Sequence, residues 1–353
     1  MAVLIILLIS TAVFSQETLT KTIEKTFKMT NGGELHIDNK HGNVSLKGWD
    51  ENKVKMILNV EVSHKKKENA KELLDRIVPE TKTANDFVSI TSAISKKSTS
   101  TFSNYFKKVN PFEFDKNNVD IQYTIYLPTN CEIDVTNKFG DVLIDSWTGK
   151  LNANVEHGDL WINNSVTNAK VNMKFGKLRG KGITYGVINL KNGDIEIEKS
   201  ENLLLNTSGT NIELNTIKDL ELMSSKDEIS ISHIKNIKGE LKYSNIRIDS
   251  IASKIDLNMH LAELRVRNIE DADAEIRIKQ ESSDINIDIK GFSFSFQANL
   301  EQGLLRLPKT VSNIKNNVID KSKRIREITA TYGASKLGEL VIIGEKGVVV
   351  LDD

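Results

Sequence analysis

The chain has 353 residues with 48 Lys plus Arg against 48 Asp plus Glu, a balance that gives no electrostatic case for nucleic acid or for an acidic substrate. Hydrophobic residues make up 39% and charged residues 27%, a globular and not a disordered composition. The single cysteine, Cys131, excludes an internal disulfide and a multi-cysteine metal cluster.

Met1 to Phe14 is apolar apart from Ser10 and Thr11. That run is too short to cross a bilayer but fits a signal-peptide core, with Val13 and Ser15 as the small residues before a cut. Residues 1–15 are therefore read as a signal peptide that lacks its basic start, and the mature protein as exported to the periplasm or cell surface. No cysteine follows the apolar run to carry a lipid. No later stretch is long enough for a transmembrane helix.

Residues 16–135 read as an N-terminal β domain. Leu35 and Ile37, then Val44 and Leu46, then Val54, Met56, Leu58, Val60 and Val62 alternate with mostly polar neighbours, the pattern of strands with one buried face. Within 65–78, Ala70, Leu73, Leu74 and Ile77 have helical spacing, and Pro79 stops the helix. Residues 95–118 are polar with interleaved aromatics and read as a mobile loop. Val119 to Leu127 alternates again and Pro128 ends that strand.

From Gly140 a repeat takes over. Gly140-Asp-Val-Leu-Ile144, Gly158-Asp-Leu-Trp-Ile162 and Gly193-Asp-Ile-Glu-Ile197 are its clearest copies, and Asp227-Glu-Ile-Ser-Ile231 and Ser244-Asn-Ile-Arg-Ile248 are later ones. The first apolar residue falls at 142, 160, 178, 195, 212, 229, 246, 264 and 285, so the steps are 18, 18, 17, 17, 17, 17, 18 and 21. A unit this short cannot bury its own core, so copies must stack. A second apolar patch, such as Leu151 to Val155 or Ala169 to Met173, lies mid-repeat. Two short strands and two turns then fill each coil. A hexapeptide helix would need apolar residues at 148 and 154, which are Thr148 and Asn154. The expected fold is mainly β: a parallel β-solenoid of about 17–18 residues per rung over 136–300, with residues 301–353 as C-terminal strands capping it. The rung glycines are expected where turns need positive φ.

These elements resemble the bacterial β-strand-repeat family of unknown function, related to auto-transporter adhesin head domains. The carriers are Gly42-Asn-Val-Ser-Leu-Lys-Gly-Trp-Asp50, Tyr123-Thr-Ile-Tyr-Leu-Pro128 and the Gly-Asp rungs after Asn137. The rung glycines are lost after about residue 210. The resemblance implies an exported, adhesin-like envelope protein and brings no catalytic residues with it.

No elbow, phosphate loop or dinucleotide fingerprint occurs. Asp141, Asp159 and Asp194 share a rung position and could form a calcium column, but Lys177, Asn211 and Glu228 interrupt it, so these carboxylates, like Glu196 and Glu213, read as solvated acids. His36, His41, His64, His157, His233 and His260 have no metal-ligand spacing. Neither cofactor nor metal is expected. Trp49, Trp147 and Trp161 could stack on sugar rings if exposed, and alternation points Trp161 outward as the one named glycan contact. The leading expectation is a non-enzymatic structural or adhesin-like protein whose partner is an envelope glycan or another envelope protein. The alternatives are an envelope-signalling partner and a polysaccharide-active β-helix enzyme.

Overall fold

A computed structural model describes residues 17–92, 118–335 and 337–353. The expected signal peptide 1–15 lies outside the described residues, as does all of the expected loop 95–118 except its last residue, Asn118. The fold is mainly β, with a single 23-stranded sheet and one helix among the described residues.

The stack starts earlier in the chain than the glycine repeat. Strands β2 (Glu34–His41) and β3 (Asn43–Trp49) pair in parallel with β8 (Glu132–Phe139) and β9 (Val142–Asp145), so Leu35 lies beside Ile133 and Val44 beside Val142. Hydrogen bonding thus runs across residue 135 without a break. The intervening chain makes an excursion. Strands β4 (Lys53–His64) and β7 (Val119–Pro128) pair antiparallel, and β1 (Glu17–Lys28) lies antiparallel on β4. Helix α1 (Lys67–Arg76), shorter than the expected 65–78, packs on β1 and β4 through Ala70 and Leu74. The short strands β5 (Glu80–Ala84) and β6 (Phe87–Thr91) pair antiparallel, and β6 lies parallel to β2.

The following coils run through β10 (Lys150–Glu156), β11 (Leu160–Lys174), β12 (Lys177–Ser225), β13 (Glu228–Lys242) and β14 (Asn245–His260). All successive pairings here are parallel. In the front wall, Val142 pairs with Leu160 and Leu160 with Leu178; farther on, Ile212, Ile229, Ile246 and Leu264 follow one another. In the rear wall, Leu151 pairs with Ala169 and Ala169 with Gly186. Ile195, Ile212, Ile229 and Ile246 are at most 3% exposed. At about 25 cal/mol per Å2, one fully buried aliphatic side chain per wall and coil stabilises the stack by roughly 1.5–3 kcal/mol before the entropy of ordering is subtracted.

The cross-section departs from two strands and two turns. Val166 pairs with Ile183, Ile217 with Ile234, and Ile234 with Ile251, all buried. These aliphatic residues lie in what the repeat leaves as a turn, and their burial creates a third, short wall.

The far end is interleaved. Strands β15 (Glu263–Val266), β16 (Glu275–Glu281) and β17 (Asp284–Asp288) continue the stack. The next layer is not the next segment of chain. It is β22 (Gly338–Glu345) with β23 (Val348–Asp352), which pair in parallel with β16 and β17 on one side and with β18 (Phe294–Glu301) and β19 (Leu304–Arg306) on the other. Strands β20 (Ser312–Asp320) and β21 (Ile325–Tyr332) form an antiparallel pair against β18.

Candidate functional site

The site is best built from one corner of the coil, where the rear wall turns into the front. In coil after coil a residue there takes positive φ: His157 (54°), Phe175 (55°), Asn192 (55°), Lys226 (60°), Tyr243 (55°), Leu261 (49°) and Ser282 (52°). The glycines expected to supply this conformation stand one residue later at 158, 176 and 193, without positive φ, while Gly42 and Gly140 adopt it themselves. The expectation therefore needs correcting. Gly158 is required by close approach, since a Cβ there would lie 1.9 Å from the carbonyl oxygen of Gly140.

Two of the turn acids bond to backbone. Asp141 N donates to Asn43 Oδ1 at 2.9 Å, Asp159 N to Asp141 Oδ1 at 2.9 Å, and Lys177 N to Asp159 Oδ1 at 2.8 Å. Each side-chain oxygen thus accepts the N–H of the following coil. Asp194 does not extend the ladder; its N–H goes to the carbonyl of Gly176 at 3.2 Å. Among the described residues no three His, Cys, Asp or Glu are placed to hold a metal ion.

Outside the early corners an aromatic stack runs along the rod. His41, Phe139, His157 and Phe175 follow at centroid distances of 5.3, 5.3 and 4.9 Å with nearly parallel rings. Burial, then the charge of Lys40, holds His41 below its ordinary value of 6.5. The spacing of 139, 157 and 175 signals this column in the sequence, though as ring stacking and not as metal-ligand spacing. His36 lies 3.9 Å from Asp134, and His260 contacts Glu281 at 3.1 Å and the edge of Tyr243.

The later corners contain a buried polar network that the sequence reading missed. Asp227 is 1% exposed. It accepts from Thr207 Oγ1 at 2.7 Å, Ser224 Oγ at 2.6 Å and the backbone N–H groups of Thr210 and Ser225 at 2.8 and 3.2 Å. Its own N–H donates to Ser244 Oγ at 3.1 Å. The detectable signal is register: counted back from Ile229, Asp227 occupies the place of Gly158, not that of Asp159.

Of the tryptophans, Trp147 is fully buried and donates to the carbonyl of Cys131 at 2.9 Å, so it cannot meet a ligand. Trp49 donates to the carbonyl of Lys53 at 2.8 Å and leans on Tyr126. Cys131 is buried as well, and burial pushes its thiol up to about 12. Trp161 points outward, 37% exposed, with the Arg179 guanidinium 5.0 Å from its ring centre. Arg179 Nε in turn donates to Glu196 at 2.6 Å, and Lys177 bonds the other oxygen. The Arg179 and Lys177 bonds hold the Glu196 carboxyl below the usual range. Similar pairs cross from coil to coil elsewhere, such as Lys150 with Glu132 at 2.7 Å and Lys238 with Glu221 at 2.9 Å. Exposed pairs of this kind each contribute little.

This arrangement defines a β-solenoid-like protein whose outward side chains form columns. Residues 186–331 match the family model described as Toastrack DUF4097, a domain of unknown function. Among solved structures it is similar to a candidate cell adhesion protein from Clostridium sporogenes ATCC 15579, at 11% identity over 94% of this chain and 100% of that one, TM-score 0.18. It is also similar to candidate adhesins from Bacteroides fragilis NCTC 9343, at 11% identity over 94% and 97%, TM-score 0.18, and from Parabacteroides distasonis ATCC 8503, at 12% identity over 94% and 97%, TM-score 0.24. No curated protein matches the chain. Among the described residues no helix is long and apolar enough to cross a membrane.

Proposed function

We propose that the protein is an exported, non-enzymatic solenoid of the bacterial cell envelope, with about 17–18 residues per rung, that displays its outer faces for adhesin-like binding. One observation carries the reading: outward polar side chains recur in register on successive coils. Asn172 Nδ2 donates to Asn154 at 2.9 Å and Asn189 Nδ2 to Asn172 at 2.9 Å, and Lys238 reaches Glu221 in the same manner. Such columns present one chemical group many times along a stiff axis, which suits summed weak contacts with an extended partner. In this reading Trp161 contacts a glycan with the ring face opposite Arg179.

Fractionation of the natural host, with antibody labelling of intact and permeabilised cells, tests export. The protein should be found in the envelope fraction; recovery in the cytosol would overturn the reading.

A further inference from the structure

We propose that the outside of the rear wall carries a groove for a neutral oligosaccharide, centred on Tyr185. The groove has a volume of about 850 Å3 and crosses several coils. Two glycines lie beneath it. The coil that begins at Lys177 places Gly180 and Gly186 at inward positions where neighbouring coils carry Ile162 or Ile197 and Ala169 or Leu203. A Cβ on Gly186 would lie 2.8 Å from Leu203 Cδ1, and one on Gly180 would lie 3.3 Å from Ile183 Cδ1. Ile183 and Leu203 already fill the space a side chain would take there.

The outward residues of this coil differ from those around them. Val187 and Leu204 interrupt a column of charged residues, and Val187 is 42% exposed. In the adjoining column Tyr185 is 53% exposed between Asn168 and Asn202. Asp219 lies beyond, accepting from Asn236 at 2.7 Å. An exposed phenol beside an aliphatic floor fits the C–H face of a pyranose ring, and amides on either side fit its hydroxyls. These groups recur at the rung spacing of about 4.8 Å, close to the length of one sugar unit, so a linear chain can lie along the axis. Charge decides between neutral and acidic sugars. The lining has four lysines against three acids, and Lys238 is already bonded to Glu221 at 2.9 Å. Little positive field remains for a polyanion.

This inference rests on the display reading but assigns its ligand to a different face from Trp161. The test is calorimetric titration of the purified full chain with cellohexaose, maltohexaose and chitohexaose, and with polygalacturonate as the acidic probe. At least one neutral hexamer should bind. Tyr185→Ala should weaken it by about tenfold or more, with an unchanged melting temperature because the side chain is exposed. Tyr185→Phe should bind as the parent does. Binding of polygalacturonate alone, binding of none of the probes, or full binding by Tyr185→Ala would overturn the groove. Loss of binding in Trp161→Ala with retention in Tyr185→Ala would move the ligand to the front wall. An envelope-located protein that binds no hexamer removes only the groove, whereas a cytosolic protein that binds one removes only the display reading.

Discussion

The early and the late coils turn the same corner in two different ways. At Gly158, Gly176 and Gly193 the residue after the positive-φ position is glycine and the backbones of successive coils touch, while Asp141 and Asp159 each accept an N–H from the next coil. From Thr210 onward that position holds Thr210, Asp227, Ser244, Ala262 and Ser283, all at most 6% exposed. Here the side chain turns inward, and hydroxyls and a carboxylate satisfy one another. The positive-φ residue itself is non-glycine in both halves, His157 and Tyr243 among them, except at Gly42, Gly140 and Gly209. Where it is not glycine it carries strain of order 1–3 kcal/mol in both halves, so the choice of the following residue reflects space and hydrogen bonding, not backbone freedom.

The sharpest way to break this comparison is to remove one aspartate from each kind of corner. Asp227→Ala leaves two hydroxyls and two backbone N–H groups without their acceptor, each costing about 1–3 kcal/mol if nothing replaces it. A total loss of about 3–5 kcal/mol is expected in urea unfolding. Asp159→Ala removes one acceptor at a wetter corner and should cost about 0.5–1.5 kcal/mol. Equal losses would show that the two corners are energetically alike.

A smaller effect tests close approach. Gly158→Ala sets a methyl against the Gly140 carbonyl and should cost about 1–3 kcal/mol through a forced backbone shift. Ser244→Ala, where a side chain is already accommodated, should show no such clash term, and the unfolding midpoints of the two variants compare them directly.

The smallest effect concerns pH. His41 has a lowered proton affinity when folded, so the unfolded chain binds the proton more readily. The stability that neutral His41 contributes is complete above 6.5 and is lost as the pH falls through the lower folded value. The melting temperature should therefore decline on acidification below that point, and His41→Phe should flatten the decline without removing the stack on Phe139. An unchanged pH profile in the variant would exclude His41 as the source.

The coils were legible from sequence wherever neighbours in space are one step apart in the chain. Ile229 beside Ile246 is such a pair. Pairs separated by an excursion were not: Leu35 meets Ile133, and Ile276 meets Leu340, and no local period links them. Asp227 was hidden because its rung reads like the Gly-Asp rungs shifted by one residue. Tyr185 was hidden because alternation marks a residue as outward but says nothing of the groove it lines, beneath which Gly180 and Gly186 face Ile183 and Leu203. Trp161 was correctly placed outside, but its Arg179 neighbour lies a whole coil farther along and is invisible to a local window.

The interleaved far end carries a consequence for biogenesis. A chain delivered from its N-terminus can lay down each layer as it emerges until Asp288. The segment carrying Phe294 to Arg306 then has no completed surface to settle on, because its neighbour is still to be synthesised. Residues 338–352 enter as a keystone between two waiting layers, so maturation of this end is concerted where the rest can be sequential. A stalled or clipped product lacking residues 338–352 would keep most of its rod yet expose two unpaired edges, a ready target for quality control or for association with its own kind.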